Sequence, residues 1–124
     1  MDKTILYIED NYHNQRIVQK VLSSRGYTVV MADDGEAGWT KVQRLKPPMV
    51  LLDISLPGID GLEVVARIKA TDNLKDIWVI ALTASAMRGD RERFMVAGCD
   101  DYISKPIRVG ELLQKVTGFF NSHG

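Results

Sequence analysis

The fold of this 124-residue chain is constrained most by short apolar runs that alternate with segments whose apolar residues recur at helical spacing. Five runs have the length and the apolar or β-branched content of buried strands, and each is followed by a turn and then by a helical pattern. The strand-like runs are Thr4 to Ile8, Tyr27 to Ala32, Met49 to Leu52, Ile77 to Leu82 and Asp101 to Ile103. This alternation predicts a parallel sheet with helices on both faces, because parallel neighbours need long, right-handed crossover connections.

The five helices are recognised by apolar residues at helical spacing and by stop signals such as Gly26 and Pro47-Pro48. The expected stripes are Ile17, Val18, Val21 and Leu22, then Ala37, Val42 and Leu45, then Leu62, Val65, Ala66 and Ile68, then Met87, Phe94 and Met95, and finally Val109, Leu112, Leu113, Val116, Phe119 and Phe120. The fourth stripe is thin, so we expect the fourth helix to be the least firmly anchored.

Composition indicates one compact domain over residues 1–124 and excludes several classes of function. Lys+Arg and Asp+Glu both number 16, so no overall field favours nucleic acid or an anionic membrane. The single cysteine, Cys99, has no disulfide partner in the chain, and no apolar segment has the length of a membrane span or the layout of a signal peptide. We therefore expect a cytoplasmic protein that binds neither nucleic acid nor a membrane.

Polar side chains stand where the predicted strands end. Glu9 and Asp10 follow the first strand, Asp53 the third and Thr83 the fourth, and Lys105 lies just beyond the fifth. Ligand sites in such sheets lie beyond the carboxyl ends of the strands, so we expect these groups to converge. Three neighbouring carboxylates repel one another, and a hard divalent cation such as Mg²⁺, together with the Lys105 ammonium, would balance them.

An aspartate in such a site has a chemical option beyond metal binding. Asp53 can act as a nucleophile and form an aspartyl phosphate, while the cation and Lys105 neutralise the transferring phosphoryl oxygens and Thr83 donates a hydrogen bond to one of them. Each residue alone has a simpler interpretation: Asp53 as a turn residue, Glu9 and Asp10 as favourable charges at a helix N-terminus, Thr83 as a helix cap, and Lys105 as a surface lysine. Their joint occurrence at strand ends favours the site.

Together these motifs resemble the response-regulator receiver domain of two-component and phosphorelay signalling, along essentially the whole chain. The motifs are Glu9-Asp10-Asn11, the stretch from Asp53 to Gly61, Leu82-Thr83-Ala84, and Asp101 to Pro106. The resemblance implies a flavodoxin-like α/β fold, a doubly wound sheet of five parallel strands with five helices and the strand order 2-1-3-4-5.

The resemblance also implies a phosphoacceptor and a metal site. Asp53 would accept the phosphoryl group. Asp10, Asp53 and the backbone carbonyl of Ser55 would bind Mg²⁺, with Mn²⁺ as a substitute, and Glu9 would reach the metal directly or through water.

The phosphoryl group would in turn be contacted by Thr83, Ala84 and Lys105. Thr83 and Tyr102 would form the switch that reports phosphorylation, although a half-buried core tyrosine is an equally ordinary interpretation of Tyr102. The family resemblance further implies a cis peptide bond between Lys105 and Pro106.

The implied function is phosphorelay signal transduction. A histidine kinase or a histidine-containing phosphotransfer protein would donate the phosphoryl group, and the modified receiver would bind an unknown downstream protein differently. The chain would catalyse only its own phosphorylation and dephosphorylation, so it is not expected to be an enzyme with an external substrate. If the sequence is the whole protein, we expect output through protein–protein contacts, because the tail Asn121 to Gly124 is too short for an effector domain.

Three alternatives stay open at this point. The chain could be the receiver domain of a hybrid histidine kinase. A less fitting alternative is an aspartyl-phosphate phosphatase, since haloacid-dehalogenase-like enzymes carry a second aspartate where this chain has Ser55. A nucleotide-binding flavodoxin-like module would need a phosphate loop where Glu9 and Asp10 stand.

Overall fold

A computed structural model of the chain describes residues 2–55, 61–84 and 88–123, with the side chains of the fourth helix described from Arg91 onward. Within these ranges the strands are β1 Thr4–Ile8, β2 Thr28–Ala32, β3 Met49–Asp53, β4 Trp78–Thr83 and β5 Asp101–Ser104. The helices are α1 Tyr12–Ser23, α2 Gly35–Leu45, α3 Gly61–Ala70, α4 Arg88–Ala97 and α5 Val109–His123. The predicted alternation is confirmed. The turn residues 56–60 and Met87 lie outside the described residues.

The described strands form one parallel sheet in the order β2-β1-β3-β4-β5. The register keeps the carboxyl ends of the strands nearly level: Ile8 pairs with Leu52, Asp53 with Leu82, and Thr83 with Ser104. Side chains that follow these ends therefore share one edge of the sheet. This is the doubly wound, five-stranded sheet with the strand order 2-1-3-4-5 that the family resemblance implied.

Alternate strand residues point to opposite faces of the sheet and form two apolar layers. One layer packs strand residues such as Leu6 and Leu52 against α2, α3 and α4, and the other packs residues such as Tyr7 and Leu51 against α1 and α5. The middle of the sheet is covered on both sides, since every residue of β3 is buried. This burial explains why the third run reads as continuously apolar instead of alternating.

Some residues of the predicted helical stripes face solvent. Ile17, Leu45, Ala66, Met95 and Val109 are exposed, so their assignment to the apolar faces was wrong. The sheet covers only a limited arc of each helix, and residues that flank this arc keep the helical period without being buried.

The fourth helix is thinly anchored in its described part, as its weak stripe indicated. Phe94 is 1% exposed and packs into the core, whereas Met95 and Val96 are 48% and 89% exposed.

None of the described helices combines the length and the apolar composition that a membrane span requires.

Helix boundaries follow from capping chemistry. Asn11 caps α1 by accepting a hydrogen bond from the backbone N–H of Asn14, and Asp34 caps α2 by accepting one from Ala37. Gly26, the predicted stop after the first helix, has a φ of 89°, which a glycine adopts without strain. These caps place the start of α1 immediately after the acidic end of β1.

Candidate functional site

The carboxyl edge of the sheet gathers the polar residues that the sequence placed at strand ends. Glu9 directly follows β1, Asp53 ends β3 and Thr83 ends β4, and these residues are 0%, 3% and 4% exposed. Lys105 follows β5, and Asp10 is exposed at the rim. Polar groups this deeply buried need partners, so their contacts define what the site can do.

The three acids lie close enough to share a cation. One carboxylate oxygen from each of Glu9, Asp10 and Asp53 lies within 4.8 Å of the other two. All the donors are hard oxygen atoms, which Mg²⁺ prefers, and magnesium sites in proteins commonly use one or two carboxylates with the remaining positions filled by water. This donor set fits Mg²⁺.

The two buried acids differ in their affinity for protons. Burial, followed by the hydrogen bond and the negative charge of Asp53, raises the pKa of Glu9. Burial would also raise the pKa of Asp53, but a hydrogen bond from Glu9, the proton-holding partner of the pair, and those donated by Lys105 and the Ser55 amide outweigh it, so the pKa of Asp53 is lowered. Asp53 is therefore kept as a carboxylate.

Lys105 supplies the positive charge at the centre of the site. Its Nζ lies 2.9 Å from Oδ2 of Asp53 and 3.4 Å from Oε1 of Glu9. Burial alone would lower the pKa of Lys105, but its contacts with both acids raise it, so the ammonium keeps its proton. Its backbone N–H donates to the carbonyl of Thr83 at 2.7 Å, and the Lys105–Pro106 bond is cis, as predicted.

Glu9 is held by neighbours that sequence reasoning missed. Its Oε1 accepts hydrogen bonds from the Tyr7 hydroxyl and from Nδ2 of Asn14, both at 3.1 Å, and its Oε2 accepts one from the Asp10 amide at 3.1 Å. The strand period contains the missing signal, because Tyr7 and Glu9 lie two residues apart and so share one face of β1.

A third missed residue, Gln15, connects this strand end to the turn after β2. Its Nε2 donates to the Glu9 carbonyl at 2.5 Å and to Oδ1 of Asp33 at 2.8 Å. Gln15 lies on α1, is 7% exposed, and uses both protons of its amide in these two bonds. It therefore joins α1, the end of β1 and the turn after β2.

The backbone directly after Asp53 is held by two hydrogen bonds and by the close approach of Gly61. The Ser55 amide donates to Oδ1 of Asp53 at 2.9 Å, and the Ile54 amide donates to the Leu82 carbonyl at 3.0 Å. Gly61 begins α3 so close to this segment that an added Cβ would lie 2.9 Å from the Asp53 carbonyl oxygen and 3.0 Å from the Ile54 Cα. Gly61 was predicted only as a turn residue, and its close backbone approach explains it better.

The remaining predicted residues lie around this cluster, and their roles stay predictions. Ser55 is exposed at the start of the loop, and Ala84 is exposed directly after Thr83. Tyr102 is half-buried on β5, and its ring centroid lies 5.2 Å from the guanidinium carbon of Arg91 and 5.4 Å from Nζ of Lys115. Two cations from two helices therefore contact the ring of the predicted switch.

Comparison with known proteins finds close relatives across the whole chain. The polar-differentiation response regulator DivK of Brucella anthropi is 36% identical over 119 residues, which cover 96% of this chain and 97% of that protein. Its counterpart in Brucella ovis is 35% identical with the same coverage.

Solved structures agree. The receiver domain of a sensor histidine kinase from Pseudomonas aeruginosa PAO1, which has a magnesium ion coordinated in its active-site cleft, is 35% identical. It matches with a TM-score of 0.88 over 98% of this chain and 99% of that one. A putative response regulator from Chloroflexus aurantiacus matches with a TM-score of 0.91 at 27% identity, over 98% and 99% of the two chains.

The family model for the response regulator receiver domain matches residues 5–117, which include every element from β1 to most of α5. The observed strand order and the strand-end cluster agree with this match. The chain belongs to the response regulator receiver domain family of two-component signalling.

Proposed function

We propose that this receiver accepts a phosphoryl group from a phosphohistidine donor onto Asp53 in a magnesium-dependent reaction. The observation that carries the proposal is the state of Asp53, a nearly buried carboxylate whose pKa is lowered and whose Oδ2 lies 2.9 Å from an ammonium. A buried carboxylate kept ionised is a competent nucleophile, because it keeps its lone pairs and lacks a hydration shell.

The surroundings of Asp53 orient it for attack. The Ser55 amide fixes Oδ1 and the Lys105 ammonium fixes Oδ2, so neither oxygen rotates freely. In the proposed step a carboxylate oxygen bonds to phosphorus while the bond from phosphorus to the donor imidazole nitrogen breaks. The imidazole leaves with that electron pair, and Asp53 becomes a mixed anhydride of a carboxylic and a phosphoric acid.

Charge complementarity supports the same step. Glu9, Asp10 and Asp53 would hold Mg²⁺, which when bound neutralises negative charge on the transferring phosphoryl oxygens. After transfer, the Lys105 ammonium would pair with the negative phosphoryl oxygens instead of with the Asp53 carboxylate. We propose that Ser55 adds its backbone carbonyl to the metal site, and that Thr83 and Ala84 contact the phosphoryl oxygens.

The relatives support a phosphohistidine donor. The Brucella proteins are response regulators, and the Pseudomonas domain is part of a sensor histidine kinase. We therefore propose a histidine kinase or a histidine-containing phosphotransfer protein as the donor, and a downstream protein as the target. Attachment to a kinase in the same polypeptide remains an alternative arrangement of the same chemistry.

The proposed readout runs through Thr83 and Tyr102. A phosphoryl group shifts a conformational balance only by its differential interaction with the two forms. Moving that balance from about 1:99 to 99:1 takes about 5.5 kcal/mol, which a few charge-assisted hydrogen bonds from Lys105 and Thr83 are able to supply. The thin anchoring of α4, which contacts Tyr102 through Arg91, suits a face that repacks.

Intact-mass measurement after incubation with acetyl phosphate and Mg²⁺ tests the proposal. The wild type should gain one phosphoryl group, and Asp53→Asn should gain none. Asp72→Asn is a matched control, because Asp72 is exposed in the connection between α3 and β4, at the opposite end of the strands from the site. It should be labelled like the wild type.

Two results would count against the proposal. Undiminished labelling of Asp53→Asn would place the modification elsewhere. Continuous hydrolysis of an added phosphoester at a rate that depends on Asp53 would favour the phosphatase alternative instead.

A further inference from the structure

Tyr7 is a buried residue that the proposed reaction does not use. Its hydroxyl lies next to the acidic site. Tyr7 is fully buried, and its ring packs in the layer covered by α1 and α5. Its Oη donates a hydrogen bond to Oε1 of Glu9 at 3.1 Å. A phenol is protonated at neutral pH, so this hydroxyl acts as the donor and the carboxylate oxygen as the acceptor.

Oε1 of Glu9 has a second neutral donor from a different element. Nδ2 of Asn14 in α1 lies 3.1 Å from the same oxygen. The position of Asn14 is itself fixed, since its backbone N–H donates to the side chain of Asn11 that caps the helix. Lys105 is the third group near Oε1, at 3.4 Å, whereas Oε2 accepts the Asp10 amide.

The arrangement divides the two oxygens of Glu9 between two tasks. We propose that Tyr7 and Asn14 are positioning residues, which commit Oε1 to protein donors and leave Oε2 to serve the cation, directly or through water. This inference rests on the proposed function, because it takes the acidic cluster to be a magnesium site. Donors behind a metal-binding carboxylate hold its orientation, and their loss typically weakens metal affinity by about 10- to 100-fold.

A packing role alone does not explain both residues. The neighbouring β1 residues Ile5, Leu6 and Ile8 are apolar and fully buried, and a phenylalanine ring would fill the place of Tyr7 equally well. The hydroxyl contributes only a donor directed at Glu9. Asn14 is half-buried at the start of α1 and directs a second donor at the same oxygen. Convergence from two elements on one atom is the observation that carries the inference.

The test is calorimetric titration with Mg²⁺ alone, without a phosphodonor, on Tyr7→Phe, Asn14→Ala and the double variant. We expect the Kd for Mg²⁺ to rise about tenfold in each single variant. Because both donors act on one oxygen, the double variant should lose less than the product of the single losses. At saturating Mg²⁺ the rate of Asp53 phosphorylation should stay within about twofold of the wild type, as expected when only metal binding is affected.

Tyr27→Phe is the matched control. Tyr27 is also a nearly buried tyrosine of the same layer, but its ring packs against Phe120 at 5.0 Å, at the opposite end of the strands. Its removal should leave the Kd for Mg²⁺ unchanged.

The outcomes separate this inference from the proposed function. A wild type that neither binds Mg²⁺ nor is labelled at Asp53 overturns both. A labelled, magnesium-binding wild type whose variants keep the wild-type Kd, even with a lower Tm, overturns the positioning role alone. If Tyr7→Phe does not fold, Asn14→Ala decides, because its side chain lies at the helix surface.

Discussion

The ammonium of Lys105 lies 2.9 Å from Oδ2 of Asp53, although Lys105 follows β5, Asp53 ends β3, and β4 runs between them. The same nitrogen lies 3.4 Å from Oε1 of Glu9, at the end of β1 on the far side of β3. One ammonium from the edge of the sheet thus contacts two buried acids on inner strands. Among the described residues around Asp53, the Lys105 ammonium therefore supplies positive charge before a cation or a phosphoryl group binds.

Replacing Lys105 with alanine should separate metal binding from signalling. We expect the affinity for Mg²⁺ to be retained or increased, because the cation no longer competes with an ammonium. The metal-free protein should lose up to about 3 kcal/mol of stability, since two buried acids lose their partner. Titration with beryllofluoride, followed by NMR of Thr83 and Tyr102, should show much smaller shifts than in the wild type. Lys75→Ala, at an exposed lysine, is the control, and full shifts in Lys105→Ala would refute the proposed role.

Substitution of Gly61 by alanine should disturb the site without changing any of its polar side chains. The added methyl would meet the Asp53 carbonyl at 2.9 Å, and backbone atoms do not move aside as a flexible side chain does. We expect a loss of about 1–3 kcal/mol in urea unfolding together with slower labelling of Asp53. Gly118→Ala in α5, where an added Cβ has no neighbour within 4 Å, should instead stabilise the protein by up to about 1 kcal/mol. Equal effects of the two substitutions would contradict this explanation.

The cations beside Tyr102 should bias the position of its ring. Arg91 and Lys115 lie 5.2 and 5.4 Å from its centroid, and a contact of this kind is worth about 0.5–1 kcal/mol at an exposed site. Arg91→Gln or Lys115→Gln should therefore raise the population of other ring positions about two- to fivefold. Aromatic NMR line shapes would measure this change, with Arg44→Gln on α2 as the control. Identical spectra in all the variants would mean that the cations do not hold the ring.

Cys99 provides a prediction about pH. Burial, followed by the charge of Asp100, raises the pKa of its thiol to about 11 from an ordinary 9.0. Between these values the unfolded chain loses the proton while the folded chain keeps it, so the stabilising contribution is complete below pH 9 and is lost as pH rises toward 11.

Urea unfolding of the wild type and of Cys99→Ala measures this effect. The difference in unfolding free energy should be constant below pH 9 and should shrink above it, because other titrating groups cancel in the comparison. A difference that stays constant up to pH 11 would show that the folded thiol ionises normally.

The order of elements and the gathering of the acids were predictable because both depend on local patterns. Apolar runs fix the strands, and in a parallel sheet their carboxyl ends must share one edge, which brings Glu9, Asp10 and Asp53 together. The family resemblance supplied the strand order, which no local pattern contains. The sequence period could not show which arc of a helix is covered, so the exposure of Ile17 and Met95 was missed.

The contacts that hold Glu9 and the backbone after Asp53 could not be predicted, for a different reason. Asn14 and Gln15 are ordinary polar residues of a helix, and only the position of the first turn of α1 beside Glu9 gives them their partners. Gly61 has a turn-like sequence context, whereas its constraint comes from a backbone approach that depends on where α3 begins. Such requirements are set by tertiary geometry, which a single sequence expresses weakly.

The two hydrogen bonds of Gln15 should constrain which residues related sequences carry at positions 15 and 33. Its amide has two protons, and both are used, one by the Glu9 carbonyl and one by the Asp33 carboxylate. A lineage that replaces Gln15 with an acceptor or an apolar residue leaves Asp33 without this donor, and one that replaces Asp33 leaves a buried proton without an acceptor. Positions 15 and 33 are far apart in the chain but should drift as a pair, so that substitutions at one are accompanied by substitutions at the other.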